Sequence, residues 1–367
     1  MNPHITINGR RIGSGWPVYI VAEISANHGH SFERAIALVR AAKQAGADAV
    51  KLQTYTADTL TIPSDKAPFR ISGGTLWDNK TLYQLYTEAY TPWEWHLDLK
   101  RTAEDCGLDL FSTPFDPTAV DFLENLGMPA HKVASFEIVD IGLVEKIART
   151  GKPIIISTGM ASLEEIEEAV AAARTAGGRE IALLKCTSSY PAPASDMNLR
   201  TITDLAHRFQ VPAGLSDHTL GIAAAAAAVA LGASIIEKHM TLSRSTAGPD
   251  SAFSLEPEEF RQMVEAVRAV ESGLGHVQYG PSSSESKSLV FRRSLFVVKP
   301  VRAGEKFSLD NVRSIRPAHG LHPRHLENVL ECTAACDIDA GTPLSWELMV
   351  RNSPERQQAV RKEAGSR

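Results

Sequence analysis

The sequence predicts an α/β protein: a (β/α)₈ TIM barrel followed by a small, mostly β domain. The main observation is that eight short, β-rich apolar segments alternate with amphipathic helical segments between residues 18 and 272. A doubly wound open sheet is the alternative, but it normally carries a glycine-rich nucleotide loop after its first strand, and none stands here. The predicted strands are 18–25, 49–54, 108–113, 131–135, 153–158, 181–187, 211–218 and 234–240.

Helical periodicity fills the intervals between these strands. In the segment 163–176, Glu164 and Glu165 lie in the first turn, where carboxylates suit the positive end of the helix dipole. The other clear helical segments are 32–45, 118–126, 143–150 and 222–231.

Composition shifts along the chain predict the domain boundaries. We expect a catalytic barrel over 1–279, a polar linker over 280–293, a β domain over 294–350 and a charged, disordered tail over 351–367. One long insertion, 55–91, follows the second strand and is rich in aromatic residues. Such an insertion either shapes a substrate pocket or forms a dimer surface.

Charge and cysteine content exclude several classes of protein. The 367 residues carry 38 Lys+Arg against 43 Asp+Glu, a net charge of −5, which disfavours binding to nucleic acid. Four cysteines make no disulfide framework, although Cys332 and Cys336 lie four apart and could form a metal or redox pair. The start of the chain lacks an apolar signal core, and the apolar run 221–236 is too short to span a bilayer. We therefore expect a cytoplasmic protein.

Alternation along the strands predicts which side chains meet at the mouth of the barrel. A buried cluster this polar is costly unless it meets a polar ligand. Lys238 alternates away from this face, and Ser135 joins it only if its strand has already bent into a loop. The inward set contains Glu23, Ser25, Asn27, Lys51, Gln53, Thr113, Lys132, Ser157, Ser216, His218, Glu237 and His239.

Two histidines end neighbouring predicted strands. His218 and His239 are either hydrogen-bonded core residues or the ligands of one divalent metal ion. Two imidazoles leave positions open for water and a substrate oxygen, as a Lewis-acid site requires. Imidazole combined with oxygen ligands suits Mn²⁺ or a similar ion better than it suits a thiolate-bound zinc.

Nine strings in the chain carry a family signature, and eight of them cover most of the barrel. They are AEISANH (22–28), AGADAVKLQTY (45–55), FSTPFD (111–116), HKVASFEI (131–138), GKPIIISTGM (151–160), LLKCTSSYPAP (183–193), GLSDHTLG (214–221), IIEKHMTL (235–242) and, after the barrel, SIRPAHGLHP (314–323). The first eight resemble the sialic acid synthase (NeuB-like) family, and the last resembles the antifreeze-like (SAF) domain of that family.

The resemblance implies a metal-dependent condensation of phosphoenolpyruvate with an open-chain amino sugar. It assigns Glu23, His218 and His239 to catalysis, with the two histidines holding Mn²⁺, Mg²⁺ or Co²⁺. It implies a homodimer in which the SAF domain of one subunit caps the active site of the other. The implied phosphoenolpyruvate contacts are Lys51, Thr113, Lys132, Ser135, Ser157 and Ser216, and the implied sugar contacts are Glu137, Tyr190, Asp250 and Arg316.

Four further strings are TYTADTLTI, WDNKTLYQLY, EAYTPWEW and DSAFSLEP. They resemble the branch of the family that makes pseudaminic acid. That branch implies 2,4-diacetamido-2,4,6-trideoxy-L-altropyranose, a diacetamido-trideoxyhexose, as the acceptor. Ser188 stands where the neuraminate-making branch has Asn, which favours a sugar other than N-acetylmannosamine. Synthesis of N-acetylneuraminate or legionaminate is the alternative within the family.

Two hypotheses from other classes stay open. A Schiff-base aldolase on the same barrel would use Lys51 or Lys132 as its nucleophile, but it leaves the paired histidines without a task. A non-catalytic carbohydrate-binding protein built on the SAF domain leaves the polar barrel mouth unexplained.

Overall fold

The structure is a computed structural model that describes residues 3–246 and 248–351. The chain forms two units, Met1–Gly275 and His276–Arg367, which divide four residues before the predicted end of the barrel domain. Each unit has hydrophobic clusters of its own.

The first unit is a closed barrel of eight parallel strands preceded by a hairpin. The hairpin strands are β1 (His4–Ile7) and β2 (Arg10–Gly13). The last barrel strand pairs in parallel with the first and closes the barrel, which confirms the predicted (β/α)₈ fold. The barrel strands are β3 (Tyr19–Glu23), β4 (Ala49–Thr54), β5 (Asp109–Pro114), β6 (His131–Val133), β7 (Ile154–Ser157), β8 (Ile181–Cys186), β9 (Ala213–Asp217) and β10 (Ile235–His239).

Helices follow every strand of the barrel and cover its outside. In the helix after β7, the Ser162 hydroxyl accepts a hydrogen bond from the Glu165 N–H and the Glu165 carboxylate accepts one from the Ser162 N–H, so the first turn is capped at both groups. The helices are α1 (Phe32–Gln44), α2 (Ala57–Leu60), α3 (Leu82–Ala89), α4 (His96–Asp105), α5 (Pro117–Asn125), α6 (Ile141–Ala148), α7 (Leu163–Thr175), α8 (Thr201–Phe209), α9 (Ala223–Ala230) and α10 (Pro257–Leu274).

Strand alternation sorts the buried side chains into two layers. Outward residues such as Ile20 and Val50 pack under the helices. Inward residues in the first half of each strand, such as Val21 and Ile155, fill the lower part of the barrel with apolar side chains. The inward residues nearer the carboxyl ends are polar, so the apolar layer supports a polar one above it.

The β1–β2 hairpin closes the amino end of the barrel. Ile5, Ile7 and Ile12 are fully buried and belong to the same cluster as the inward side chains of the strands. Asn8 and Gly9 form the connecting turn with φ values of 46° and 79°, the left-handed pair that a two-residue hairpin turn requires. The hairpin was not among the elements predicted from the sequence.

The second unit contains two small antiparallel sheets around a core of its own. Arg351, the expected start of the disordered tail, instead pairs with Cys332, and residues 352–367 lie outside the described residues. A 3₁₀ helix, Glu285–Phe291, occupies part of the predicted linker. The regular elements are β11 (Ser294–Val297), β12 (Val312–Ile315), α11 (Leu326–Leu330), β13 (Cys332–Ala334) and β14 (Met349–Arg351).

The structure describes the state of the cysteines and the character of the helices. All four cysteines are free thiols, and Cys332 is buried in the second unit whereas Cys336 is exposed. In the described part of the chain, no helix combines the length and the apolar character that crossing a lipid bilayer requires.

Candidate active site

A buried ion-pair cluster lies at the carboxyl ends of three adjacent strands, β10, β3 and β4. The Lys51 Nζ atom lies 2.8 Å from Glu23 Oε2 and 2.9 Å from Glu237 Oε1. All three side chains are at least 95% buried, so solvent screens these charges very little. The ammonium group of Lys51 is therefore held in one position between two carboxylates.

A second lysine shares the same carboxylate from across the barrel. The Lys132 Nζ atom donates to Ser157 Oγ at 2.7 Å and lies 3.5 Å from Glu237 Oε1. Ser216 Oγ donates to the same Glu237 oxygen at 2.9 Å. Glu237 thus stands between two ammonium groups and one hydroxyl, at the centre of the barrel mouth.

The two lysines differ in their proton affinity. Burial alone would lower the pKa of Lys51, but Glu23 and Glu237 outweigh it and raise that pKa above its ordinary value. Burial dominates for Lys132 and lowers its pKa to about 8, against the opposing charge of Glu237. Burial also raises the pKa of Glu23, whereas Lys132 and Lys51 reverse that effect at Glu237 and lower its pKa. The site thus combines a firmly charged lysine with one that titrates near neutral pH.

Two predicted phosphoenolpyruvate contacts complete the rim of this cluster. The Thr113 hydroxyl is buried and has no hydrogen-bond partner among the described residues. Because β6 ends at Val133, Ser135 lies in the loop beyond the strand, where its hydroxyl accepts from the Gly159 N–H at 3.1 Å. Ser135 therefore lies in a loop, which is the condition under which we expected it to join the inward set. Two lysines, two carboxylates and several hydroxyl groups therefore meet at one buried place, and the ammonium and hydroxyl groups are the donors that an anion would use.

The two predicted metal ligands lie side by side. The ring centroids of His218 and His239 are 5.4 Å apart. His218 Nδ1 lies 3.0 Å from the Thr187 carbonyl oxygen, which orients that ring and leaves Nε2 for a ligand. His239 Nδ1 is buried without a hydrogen-bond partner in residues 3–246 and 248–351, and Asp250 Oδ2 lies 3.9 Å from it.

The two imidazoles alone supply only part of the ligand set that a metal ion needs. Across the described ranges, no three His, Cys, Asp or Glu side chains come close enough together to complete a metal site. Two protein ligands would leave the remaining positions to water and to substrate oxygen. That donor set, nitrogen plus oxygen, suits Mn²⁺, Mg²⁺ or Co²⁺ better than a thiolate-selecting ion.

Three of the predicted sugar contacts surround the histidines and lysines. The Tyr190 ring lies 4.4 Å from the His218 ring. Asp250 accepts a hydrogen bond from the Ser25 hydroxyl. Burial raises the pKa of Glu137 to about 7 against the opposing charge of nearby Lys132, and its Oε2 has no partner in the described part of the chain. The structure therefore brings three candidate sugar contacts to one mouth.

The fourth predicted sugar contact belongs to the second unit. Arg316 directly follows β12, and its side chain is exposed. It makes no ion pair with any residue that the structure describes.

Two polar residues of the mouth were missed or left without a role. Alternation placed Glu237 on the inward face, but nothing in the sequence showed that it would be shared by two lysines. Cys186 is also inward, with Sγ 3.8 Å from His218 Nδ1. Burial would raise the pKa of this thiol, but His218 outweighs it and lowers the pKa to about 6. Lys238, which alternation directs away from the inward face, forms a buried ion pair of 2.7 Å with Asp217.

Comparison with known proteins identifies the class of the chain. Residues 38–279 match the model of the NeuB family, and residues 292–349 match that of the SAF domain. The chain belongs to the NeuB family, as the motifs predicted.

Individual relatives narrow the comparison. The chain is 46% identical to a pseudaminic acid synthase of Campylobacter jejuni, over 89% of this chain and 95% of that protein. It is 45% identical to a pseudaminic acid synthase of Helicobacter pylori, over 92% of this chain and 99% of that protein. A crystal structure of N-acetylneuraminic acid synthetase from Leptospira borgpetersenii superposes with a TM-score of 0.70 at 34% identity, covering 79% of this chain and 96% of that one.

Proposed function

We propose that this chain is a pseudaminic acid synthase. It would condense phosphoenolpyruvate with the open-chain aldehyde of 2,4-diacetamido-2,4,6-trideoxy-L-altropyranose and water, giving pseudaminic acid and phosphate. The observation that carries the proposal is the buried arrangement of Lys51, Glu237 and Lys132, which supplies two ammonium groups to a small anion where water competes little. Identity of 45–46% to two pseudaminic acid synthases over nearly their whole length supports the choice of acceptor.

The phosphoenolpyruvate pocket follows from the donors at the mouth. Lys51 and Lys132 supply positive charge, and hydroxyl groups supply further hydrogen bonds to the phosphate and carboxylate oxygens. The buried hydroxyl of Thr113, unpartnered within the described residues, supports a bound anion, since an isolated buried polar group is costly. The other hydroxyl groups of the pocket are those of Ser135, Ser157 and Ser216.

The proposed reaction joins one carbon–carbon bond and breaks one carbon–oxygen bond. C3 of phosphoenolpyruvate bonds to the aldehyde carbon, whose oxygen takes up a proton, and positive character develops at C2. The carboxylates of Glu23 and Glu237 stabilise that charge, and Glu23, whose pKa burial raises, takes the proton from the water that adds to C2. The bond between C2 and the phosphate oxygen then breaks, the C2 hydroxyl passes its proton to the departing phosphate, and the 2-keto acid forms. The proton that Glu23 took up replaces the one that the aldehyde oxygen received.

A divalent cation, Mn²⁺, Mg²⁺ or Co²⁺, would be held by His218 and His239. Bound there, such an ion supplies Lewis acidity toward a carbonyl oxygen. The buried Nδ1 atom of His239, without a partner in the described ranges, and the oriented ring of His218 support this assignment. Glu137, Tyr190 and Asp250 would contact the sugar beside the same histidines.

The proposed assembly is a cytoplasmic homodimer in which each SAF domain caps the active site of the other subunit. Three apolar side chains at the carboxyl ends of β6 and β7, Phe136, Val139 and Met160, are more than half exposed and would be covered by such a cap. Arg316 of the partner subunit would then reach the sugar. Four free thiols agree with a reducing compartment.

The experiment that tests the activity supplies the purified protein with phosphoenolpyruvate, Mn²⁺ and a series of amino sugars. Phosphate release is measured, and the product mass is determined by mass spectrometry. We expect the diacetamido-trideoxy-L-altrose to give a nine-carbon keto acid with the highest kcat/KM. A higher kcat/KM with N-acetylmannosamine or with the legionaminate precursor would move the assignment to another member of the family.

The lowered pKa of Lys132 offers some support for a Schiff-base aldolase, because a neutral amine is the reactive form. Borohydride treatment in the presence of pyruvate distinguishes the two chemistries. We expect no covalent adduct at Lys132 and activity that is lost on chelation. A trapped adduct with chelator-resistant activity would favour the aldolase.

Lys132 predicts a pH dependence for phosphoenolpyruvate binding. Its pKa of about 8 means that the free enzyme loses a positive charge in the pocket as the pH rises through that value. We expect kcat/KM for phosphoenolpyruvate to fall about tenfold per pH unit above it. Lys132→Arg keeps its charge, so its profile, although lower, should stay flat there. A wild-type profile that is flat to about pH 9.5 would contradict the assignment.

Arg316→Ala tests the capping role of the SAF domain. Loss of one charge-assisted hydrogen bond should raise KM for the sugar by about tenfold or more, and it should change KM for phosphoenolpyruvate by less than about twofold. Removing the chain from Gly280 onward should act in the same direction. Arg313→Ala, an exposed arginine on the neighbouring strand β12, is the matched control and should leave both constants unchanged. Equal losses for both substrates in Arg316→Ala would count against the cap.

A further inference from the structure

The insertion after β4 contains a small loop with a built-in frame. Arg70 and Thr81 form a β-bridge at its base, and the Ile71 N–H donates to the Lys80 carbonyl at 2.9 Å. Within the loop, the Asp78 carboxylate accepts from the Gly74 and Thr75 N–H groups at 2.8 and 3.0 Å. The turn before Asp78 is therefore held by its own hydrogen bonds and presents the side chain of residue 77 in a fixed direction.

That side chain, Trp77, is attached to the wall of the candidate active site. Its indole N–H donates to the Pro249 carbonyl at 2.9 Å, directly before Asp250 in the chain. Its ring lies 5.6 Å from the Tyr190 ring, which in turn lies 4.4 Å from His218. Part of the insertion therefore belongs to the mouth of the barrel, which favours the first of the two interpretations of this segment.

The chemistry of the indole limits what it can select. Its only hydrogen-bond donor is used by the Pro249 carbonyl. The half-buried ring offers a ligand only apolar surface. A methyl group that moves from water to this ring gives up no hydrogen bonds. A hydroxyl group in the same place gives up its hydrogen bonds to water, and the ring offers none in return.

We propose that Trp77 is a specificity-determining residue that forms an apolar wall of the acceptor-sugar subsite. It selects a sugar that presents a methyl group there, either the deoxy C6 or the acetyl methyl on the C4 nitrogen. This inference rests on the proposed function, since it concerns the same sugar. It assigns discrimination between sugars to the insertion and leaves phosphoenolpyruvate binding to the strand ends.

The test compares two substitutions with a control in the same turn. Trp77→Ser removes the apolar wall, and Trp77→Phe keeps an aromatic ring but removes the N–H that bonds to Pro249. Leu76→Ser is the matched control, because Leu76 is the neighbouring large apolar residue and is 51% exposed. Each protein is assayed with the diacetamido-trideoxy sugar, with its 6-hydroxy analogue and with its 4-hydroxy analogue, at saturating phosphoenolpyruvate.

In the wild type we expect kcat/KM to favour the diacetamido-trideoxy sugar over at least one analogue. Trp77→Ser should reduce that preference by about tenfold or more. Trp77→Phe should keep most of the preference with a higher KM for every sugar, and Leu76→Ser should behave as wild type. The analogue whose disadvantage disappears identifies which methyl group faces the ring.

Two results would overturn the inference in distinguishable ways. If Trp77→Ser lowers kcat/KM equally for all three sugars, or leaves all three unchanged, Trp77 selects nothing although the enzyme assignment stands. If the wild type releases no phosphate with any of the sugars, the proposed function fails and the inference fails with it. KM for phosphoenolpyruvate, expected to be unchanged, separates a local effect from a general distortion of the mouth.

Discussion

His239→Ala should abolish turnover while leaving the barrel folded. His239 ends β10, and its ring centroid lies 5.4 Å from that of His218, whereas its Nδ1 atom has no hydrogen-bond partner within the described residues. Its ring also packs 5.0 Å from the ring of Phe253, so truncating it removes some ring packing and one of two proposed metal ligands, but no hydrogen bond of Nδ1. We expect kcat to fall by about a thousandfold or more, with the thermal unfolding midpoint lowered by only a few degrees.

Metal binding supplies a readout that does not depend on activity. Titration with Mn²⁺ should show one site in the wild type and a large loss of affinity in His239→Ala and in His218→Ala. His131→Ala is the control, because His131 is a buried histidine on β6 that bonds to Glu124 at 2.7 Å and lies outside the mouth. It should lose stability and keep its metal site. An active His239→Ala protein without bound metal would refute the assignment.

Glu237→Gln should combine a large loss of activity with a measurable loss of stability. Glutamine keeps the volume of the side chain but removes the negative charge that Lys51 and Lys132 share. Two buried ammonium groups then face each other with one carboxylate, that of Glu23, instead of two. We expect a destabilisation of about 3 kcal/mol and a loss of about a hundredfold or more in kcat/KM.

Phosphoenolpyruvate should restore part of that stability, since it brings negative charge between the same two lysines. Thermal unfolding with and without the ligand measures the effect. Asp217→Asn is the matched control, because it breaks the buried ion pair with Lys238 elsewhere in the barrel. It should be destabilised by a comparable amount. Phosphoenolpyruvate should raise its unfolding temperature no more than it raises that of the wild type. If phosphoenolpyruvate stabilised both variants equally, its binding site would not lie beside Glu237.

Much of the barrel and its mouth could be predicted because strand side chains alternate with a period of two. Every predicted strand overlaps an observed one, and alternation placed Lys51, Lys132 and Glu237 on one face correctly. It also directed Lys238 away from that face. Lys238 instead forms its ion pair with Asp217. A parallel barrel makes this inference reliable, since the carboxyl ends of all its strands meet at one mouth.

Features that depend on distant partners could not be predicted in the same way. The role of Glu237 follows from the approach of two lysines that are 81 positions apart in the sequence, Lys51 and Lys132. Trp77 lies in a long loop, where no periodicity indicates which way a side chain points. The amino-terminal hairpin is different, because the Asn8–Gly9 pair between alternating apolar residues is a sufficient signal for a two-residue hairpin turn, although the hairpin was not predicted.

The hairpin also determines how the reaction must exchange with its surroundings. Because Ile5, Ile7 and Ile12 are fully buried at the amino end of the barrel, both substrates and both products of the proposed reaction would enter and leave through the mouth at the carboxyl ends of the strands. Compounds that use this mouth must enter and leave in turn, because a compound bound near the opening blocks the release of one bound deeper in the barrel. Inhibition patterns by each product should therefore record the order of loading, with the deeper-seated compound binding first and leaving last.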